Sequence, residues 1–327
     1  MRAVVIDRFG GPEVLSLRNI PVPEPKEDQI IVRVGSAGVG VWDVAERQGL
    51  LAKLFGIQAK FPWVLGSEGA GKITAVGDKV SGFRNGDLVY GDIWSTTAPT
   101  KTGFYAEYAA LNADNAWPIP STVTIEQAGA LLIDGATALR GLEDALALKQ
   151  DEKLMVFGAS GGLGHLAVQL GVRLGARVFA VASGKDGVEL ALKLGAKTAV
   201  DGRSEDIVAS AREFAPEGFD AALVTVAGDV TEKVLTTMRE GGRVAYPWIN
   251  QRPPPKAPSN VRLIGYNGNI DRPLIFRLNK LVEAGDFEVH LDRTFTLDQA
   301  ADAFQAVGSH HLGRIALLPG AENTGST

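Results

Sequence analysis

The chain contains no cysteine. No disulfide can form, no zinc site can use a thiolate, and no cysteine nucleophile exists. Histidine is nearly as scarce: only His165, His290, His310 and His311 occur, none in HExxH spacing. That argues against a metal site built on histidine alone. An excess of positive charge is missing too. Lys and Arg number 33 against 38 Asp and Glu, a net charge of −5, so the chain carries no footprint for nucleic acid. No apolar run reaches the ~18 residues that cross a bilayer. Residues 1–7 lack the apolar core of a signal peptide. The expectation is a soluble, cytoplasmic protein with no membrane partner.

Glycine is abundant, at 39 of 327 residues, well above the roughly 7% of average usage. The excess has no collagen-like period and predicts tight turns or close backbone approaches. The length makes two domains of roughly 100–200 residues the default. The first 120 residues read as short strands between Gly/Pro turns, at 2–8, 14–20, 29–34, 72–76, 88–90 and 105–111. That spacing suggests a small β-barrel or sandwich. From about residue 122, helical segments alternate with apolar runs at 154–157, 178–182, 198–200, 221–226, 244–246 and 263–266. This alternation predicts an α/β domain with a doubly wound parallel sheet. Ser204, before Glu205 and Asp206, reads as a helix N-cap. The proline-rich segment 252–258 reads as a stiff loop or as the edge of a substrate cleft. Beyond residue 267, a helix (274–284), a strand (293–296), a helix (297–307) and a strand (314–317) complete the chain.

The sharpest local signal runs from Leu154 to Gly164. An apolar strand enters the turn Gly158-Ala159-Ser160-Gly161-Gly162-Leu163-Gly164, and a helical pattern follows. This is the context of a dinucleotide fingerprint. Gly161 removes the Cβ that would block a pyrophosphate, Gly164 lets helix and strand pack closely, and the helix N-terminus offers free N–H groups. Ala159 stands in the first glycine position of GxGxxG. A Gly-rich structural turn is the alternative. The next strand ends at Ser183, where an NAD site would carry an acid for the ribose hydroxyls. Ser183, Lys185 and Arg203 suit a 2′-phosphate, hence NADPH, although Asp186 adjoins Lys185 and both cations also fit ordinary solvated surface.

The ordered motifs Gly10-Gly11-Pro12-Glu13-Val14-Leu15, Ala37-Gly38-Val39 with Asp43, Gly66-Ser67-Glu68-Gly69-Ala70-Gly71, Gly103-Phe104-Tyr105-Ala106-Glu107-Tyr108, Gly135-Ala136-Thr137-Ala138 and Leu312-Gly313-Arg314 extend the pattern over residues 1–318. In these the chain resembles the medium-chain dehydrogenase/reductase superfamily, and most of all its zinc-independent quinone oxidoreductase branch. The resemblance implies a GroES-like catalytic domain (1–121 and 268–327) around a Rossmann NADPH-binding domain (122–267). It also implies a homodimer paired along the edge of the Rossmann sheet, with 261–267 as the candidate strand.

The positions that hold catalytic zinc in alcohol dehydrogenase relatives are Gly40, Ser67 and Ile133 here, which is no zinc ligand set. Without a Lewis acid, a conjugated acceptor is easier than an alcohol, because the charge delocalises onto an oxygen. The resemblance implies that Thr137 positions the nicotinamide, that Arg314 contacts NADPH and that Tyr246 lines the cofactor cleft. Thr137 bonding a carbonyl one turn back and Tyr246 as packing are the alternatives. Asp43 matches a family acid that is either catalytic or structural. Gly40 and Ala45 replace an Asn and a Tyr that the family often carries, which removes a Tyr proton donor. Solvent would then protonate the product. The expected function is NADPH-dependent reduction of a quinone or an enone. The alternatives are an enoyl-thioester reductase, with Arg47, Lys53 and Lys60 near a CoA phosphate, and an NADPH-binding sensor with little turnover.

Overall fold

From its N-terminus the chain lays down β1 (Arg2–Ile6), β2 (Ser16–Asn19) and β3 (Gln29–Val39), then the short helices α1 (Val41–Arg47) and α2 (Leu50–Phe55). β4 (Trp63–Val64), β5 (Glu68–Val76), β6 (Leu88–Asp92), β7 (Tyr108–Asn112), β8 (Ala116–Pro118) and α3 (Ile125–Ala128) follow. This is a computed structural model, and it describes residues 1–93, 102–203, 206–248 and 254–321. β1 pairs antiparallel with β2 and β4. β3 pairs antiparallel with both β5 and β7.

Two elements correct the strand-only reading of this region. α1 and α2 are helices where none was predicted. The start signal of α1 is local: Asp43 lies three residues past Gly40, and its Oδ2 accepts the Gly40 N–H at 2.9 Å, half of a capping box. Residues Pro12–Val14 form a 3₁₀ turn, so β2 starts at Ser16 rather than at 14.

α4 (Leu132–Leu139) runs on into a π-helical turn, Arg140–Ala145. β9 (Lys153–Phe157), α5 (Gly162–Arg173), β10 (Arg177–Ala182), α6 (Gly184–Lys193), β11 (Thr198–Asp201), α7 (Ile207–Phe214), β12 (Phe219–Val224), α8 (Asp229–Leu235), β13 (Met238–Pro247), β14 (Arg262–Tyr266) and α9 (Arg272–Glu283) then alternate. The strands form one parallel sheet in the order β11-β10-β9-β12-β13-β14. This is the doubly wound sheet expected from the alternation. The central strands are buried along most of their length, as a sheet covered on both faces requires. Asp206 caps α7, its side chain accepting the Ala209 N–H at 3.1 Å. Ser204 and Glu205 lie outside the described residues, as do residues 252–253 of the proline-rich segment.

β15 (Leu291–Phe295), α10 (Ala300–Val307) and β16 (Arg314–Leu317) end the described chain. β16 pairs antiparallel with Ala37–Val39 of β3, which explains why β3 outruns the predicted 29–34. The resulting sheet has the order β15-β16-β3-β5-β6-β8, with β7 also on β3.

The chain divides into two compact units, Met1–Leu132 with Leu291–Thr327, and Ile133–His290. These divisions fall later than 121/122 and 267/268, and local packing explains why. Residues 125–130 are tied to the first unit: Ser36 Oγ donates to the Glu126 carbonyl at 3.0 Å, and Gly38 N–H donates to the Gly129 carbonyl at 2.7 Å. Residues 268–290 are tied to the second. α9 buries Leu274, Ile275, Leu278 and Val282, and α5 holds the segment after it through side chains one turn apart. Gln169 bonds both the carbonyl and the N–H of Glu288 at 2.9 Å, and His165 Nε2 accepts the His290 N–H at 3.2 Å. Each unit has its own core, one around Val32, Ile73, Phe304 and Ile315, the other around Met155, Phe179, Phe219 and Val244.

Candidate active site

In the second unit the Gly-rich turn joins β9 to α5. Gly158 takes φ +86°, and a Cβ there would lie 2.1 Å from Thr225 Oγ1; both facts demand glycine. A Cβ on Gly164 would lie 2.0 Å from the Gly158 carbonyl oxygen, so α5 approaches the turn as closely as the sequence reading required. A Cβ on Gly161 would meet only that same oxygen, at 3.6 Å. The space beside Gly161 is therefore open toward the start of α5. Gly161 is the N-cap, and no side chain caps the helix, which leaves the first-turn N–H groups for a ligand. This is a cradle that fits a pyrophosphate.

The ends of the next two strands meet the same turn. Ser160 is buried, and its Oγ accepts the Ser183 N–H at 3.2 Å. Asp201, at the end of β11, accepts the N–H of Gly184 at 2.9 Å and of Arg203 at 3.0 Å. One carboxylate thus ties the start of α6, which carries Lys185, to the turn after β11, which carries Arg203; both residues are exposed. The sequence reading named both cations but missed Asp201. An acid closing a strand and followed by Gly202 was the available signal.

Thr137 is buried, and its hydroxyl donates to the Ile133 carbonyl at 2.7 Å, the bond one turn back. A Cβ on Gly268 would lie 2.1 Å from Thr137 Oγ1, so Gly268 alone lets residues 266–269 pass over this hydroxyl. Tyr246 is half-buried on β13 and packs against the core of its unit. Tyr266, which was not predicted, brings its hydroxyl against Gly141 of the π-helical turn. That hydroxyl is buried without a hydrogen-bond partner among the described residues. Burial, and then the charge of Asp134, push its pKa far above the ordinary tyrosine value, so it stays a phenol.

In the first unit a polar cluster is buried beneath α1. Asp43 is fully buried; besides Gly40 N–H, it accepts the N–H and Oγ–H of Ser67 at 3.2 and 3.1 Å. Its carboxylate ties the start of α1 to the loop before β5, which makes it an acceptor rather than a proton donor. Beside it Glu68 and Arg314 form a buried ion pair, 0% and 4% exposed. Arg314 Nε also donates to the Ala130 carbonyl at 3.1 Å, and the guanidinium lies over Trp42, 4.8 Å from the ring. Arg314, read as a cofactor contact, therefore has its charge partner inside the first unit. Tyr105 donates to the Gly38 carbonyl at 3.1 Å, and burial with Asp43 and Glu46 nearby raises its pKa. Gly40, Ser67 and Ile133 offer no imidazole, thiolate or carboxylate. Among the described residues no group of His, Asp and Glu is placed to hold a metal ion. The residues present do not fit zinc.

Comparison with known proteins gives matching relatives. Residues 26–121 match the alcohol dehydrogenase GroES-like domain, and residues 162–258 match the zinc-binding dehydrogenase family. Human quinone oxidoreductase is 34% identical over 246 residues, covering 75% of this chain and 72% of its own length. The chain belongs to the medium-chain dehydrogenase/reductase superfamily, in its quinone oxidoreductase-like branch. A tomato relative in the superfamily, 2-methylene-furan-3-one reductase, is 31% identical over 93% of this chain and 75% of its own. A solved medium-chain structure, an NAD-dependent alcohol dehydrogenase, superposes with a TM-score of 0.88 at 27% identity, covering 98% and 100% of the two chains. Superfamily membership makes this chain an oxidoreductase and implies a nicotinamide cofactor. No helix among the described residues is long and apolar enough to cross a membrane.

Proposed function

We propose that this chain is an NADPH-dependent reductase of quinones or α,β-unsaturated ketones that works without zinc. The observation that supports the reading is the Asp201 carboxylate, which accepts the N–H of both Gly184 and Arg203 and so draws the backbone beside Ser183 and Lys185 and that of Arg203 together after β10, where an NAD site would place an acid. A hydroxyl and two cations there favour a 2′-phosphate. The open cradle at Gly161 and the uncapped start of α5 would hold the pyrophosphate. When bound, the reduced nicotinamide supplies a hydride. The chain's own residues bind and orient; Thr137 and Tyr246 are the proposed neighbours of the ring.

Conjugated acceptors fit this chemistry because their negative charge delocalises onto oxygen without a metal, and solvent can deliver the proton. Asp43 is committed to Gly40 and Ser67, which supports a site with no carboxylic acid donor from α1. The names of the human and tomato relatives point the same way. A homodimer paired along β14 belongs to this reading, since β14 ends the strand order of its sheet.

The test is steady-state turnover of 1,4-naphthoquinone and cyclohex-2-enone with NADPH and with NADH. NADPH is expected to be preferred by about 100-fold or more, and Lys185→Ala with Arg203→Ala to remove most of that preference; losing charge-assisted bonds to a phosphate costs about 1.5–3 kcal/mol each. Equal use of both cofactors by the unaltered protein would overturn the NADPH assignment. Failure to reduce either acceptor would overturn the reductase.

A further inference from the structure

One turn into the helix that starts at the phosphate cradle, His165 is fully buried. Both of its ring nitrogens have a backbone partner within the second unit. Nε2 accepts the His290 N–H at 3.2 Å, and Nδ1 lies 3.0 Å from the Gly161 carbonyl oxygen. A backbone N–H only donates, so Nε2 carries no proton. The ring is therefore a neutral imidazole with its proton on Nδ1, donating to Gly161. The segment on the far side of the ring is itself held in place. Gln169 bonds both the carbonyl and the N–H of Glu288. The Glu288 carboxylate in turn meets Lys193 of α6 at 2.5 Å and the His290 ring at 3.0 Å.

The Gly161 carbonyl accepts two hydrogen bonds, one from the ring and one from the His165 backbone N–H at 3.0 Å. In a trans peptide the carbonyl and the following N–H point in opposite directions. Holding the Gly161 carbonyl back along α5 aims the Gly162 N–H outward from the helix start, beside the space that Gly161 leaves open. That peptide joins two glycines, so no Cβ on either side resists its rotation. Helix ends fray, and the ring adds a second bond where the helix supplies only one.

We propose that His165 is a positioning residue for the phosphate cradle: its Nδ1–H locks the Gly161–Gly162 peptide so that the Gly162 N–H faces the cofactor's pyrophosphate. The proposal rests on the pyrophosphate reading of the cradle, and not on the choice between NADPH and NADH, since both carry that group.

Three variants separate the two ring nitrogens. His165→Asn puts an N–H donor near the place of Nδ1. His165→Gln reaches the place of Nε2 with an oxygen. His165→Leu keeps apolar bulk and neither bond. Fluorescence titration then gives the dissociation constants of NADPH and NADH. His165→Leu raises both by the same factor, about tenfold. His165→Asn brings both back to within about threefold of the unaltered protein, and His165→Gln leaves them as weak as His165→Leu does.

Rescue by Gln that equals or exceeds rescue by Asn overturns the proposal and makes the ring a tie to His290 alone. A loss confined to NADPH overturns it as well, because the effect would then lie at the 2′-phosphate. So does unchanged binding by His165→Leu. If the unaltered protein binds neither cofactor, the nicotinamide reading fails, and a thermal melt decides the role of His165. Its probe is sodium pyrophosphate, set against sodium chloride at equal ionic strength. A rise in Tm shared by the unaltered protein and His165→Asn, and absent from His165→Leu, supports the proposal; any other pattern overturns it.

Discussion

Gly164→Ala is expected to raise the NADPH dissociation constant by about 10- to 150-fold, the loss of one charge-assisted hydrogen bond to the pyrophosphate at about 1.5–3 kcal/mol. The added Cβ would fall 2.0 Å from the Gly158 carbonyl oxygen and 2.8 Å from the Ala159 Cα. Both neighbours are backbone, so no side chain can swing aside. Either α5 moves out or the turn opens, and each displaces the N–H groups that the pyrophosphate needs. Overpacking of this kind also costs roughly 1–3 kcal/mol of stability. Gly161→Ala makes the sharper contrast. Its Cβ meets nothing closer than 3.6 Å, so the melting temperature should hold while binding falls. Fluorescence titration with NADPH and a thermal melt on both variants measure this. If Gly161→Ala binds NADPH as tightly as the unaltered protein, the open space beside Gly161 is not the phosphate cradle.

Arg314→Met is expected to destabilise the first unit by about 3–5 kcal/mol, the usual loss when one partner of a buried pair is removed. Glu68 is 0% exposed and would lose the guanidinium that compensates its charge. At roughly 2–4 °C per kcal/mol for a unit of this size, the melting transition falls by about 6–20 °C. The double variant Glu68→Met with Arg314→Met should recover much of that loss, because the unpaired charge is gone. Arg314→Lys should recover less, since an ammonium cannot both stack on Trp42 and reach the two oxygens as a planar fork does. Calorimetry on the three variants reads the order directly. A double variant no more stable than Arg314→Met alone would mean that the pair is not the source of the cost.

These two sites differ in how visible they are in the sequence. The Gly158–Gly164 turn is legible because its demands are local: a positive φ, a close approach and an uncapped helix start all lie within seven residues. The doubly wound sheet is legible because strand and helix periods alternate over 120 residues and more. α1 and α2 escaped because they are seven and six residues long, with Gly40, Gly49 and Gly56 at their ends, and propensity says little over so short a span. The Arg314–Glu68 pair escaped because 246 residues separate the partners, and only the docking of β16 on β3 brings them together. The buried state of Arg47 escaped for the same reason, since Phe304 reaches it from α10. Thr137 was read with two alternatives, and the bond it makes to the Ile133 carbonyl is the one that local helix geometry always offers.

The central claim is that hydride goes to the conjugated carbon of an acceptor without help from a metal. The direct measurement is reduction of cyclohex-2-enone with NADPH deuterated at the transferable C4 position, by protein dialysed against a chelator, with the product analysed by NMR. The account predicts cyclohexanone with deuterium at C3, the carbon β to the carbonyl, at an unchanged rate after dialysis. Deuterium at C1 in an allylic alcohol, or activity that vanishes with the chelator and returns with zinc, would contradict it.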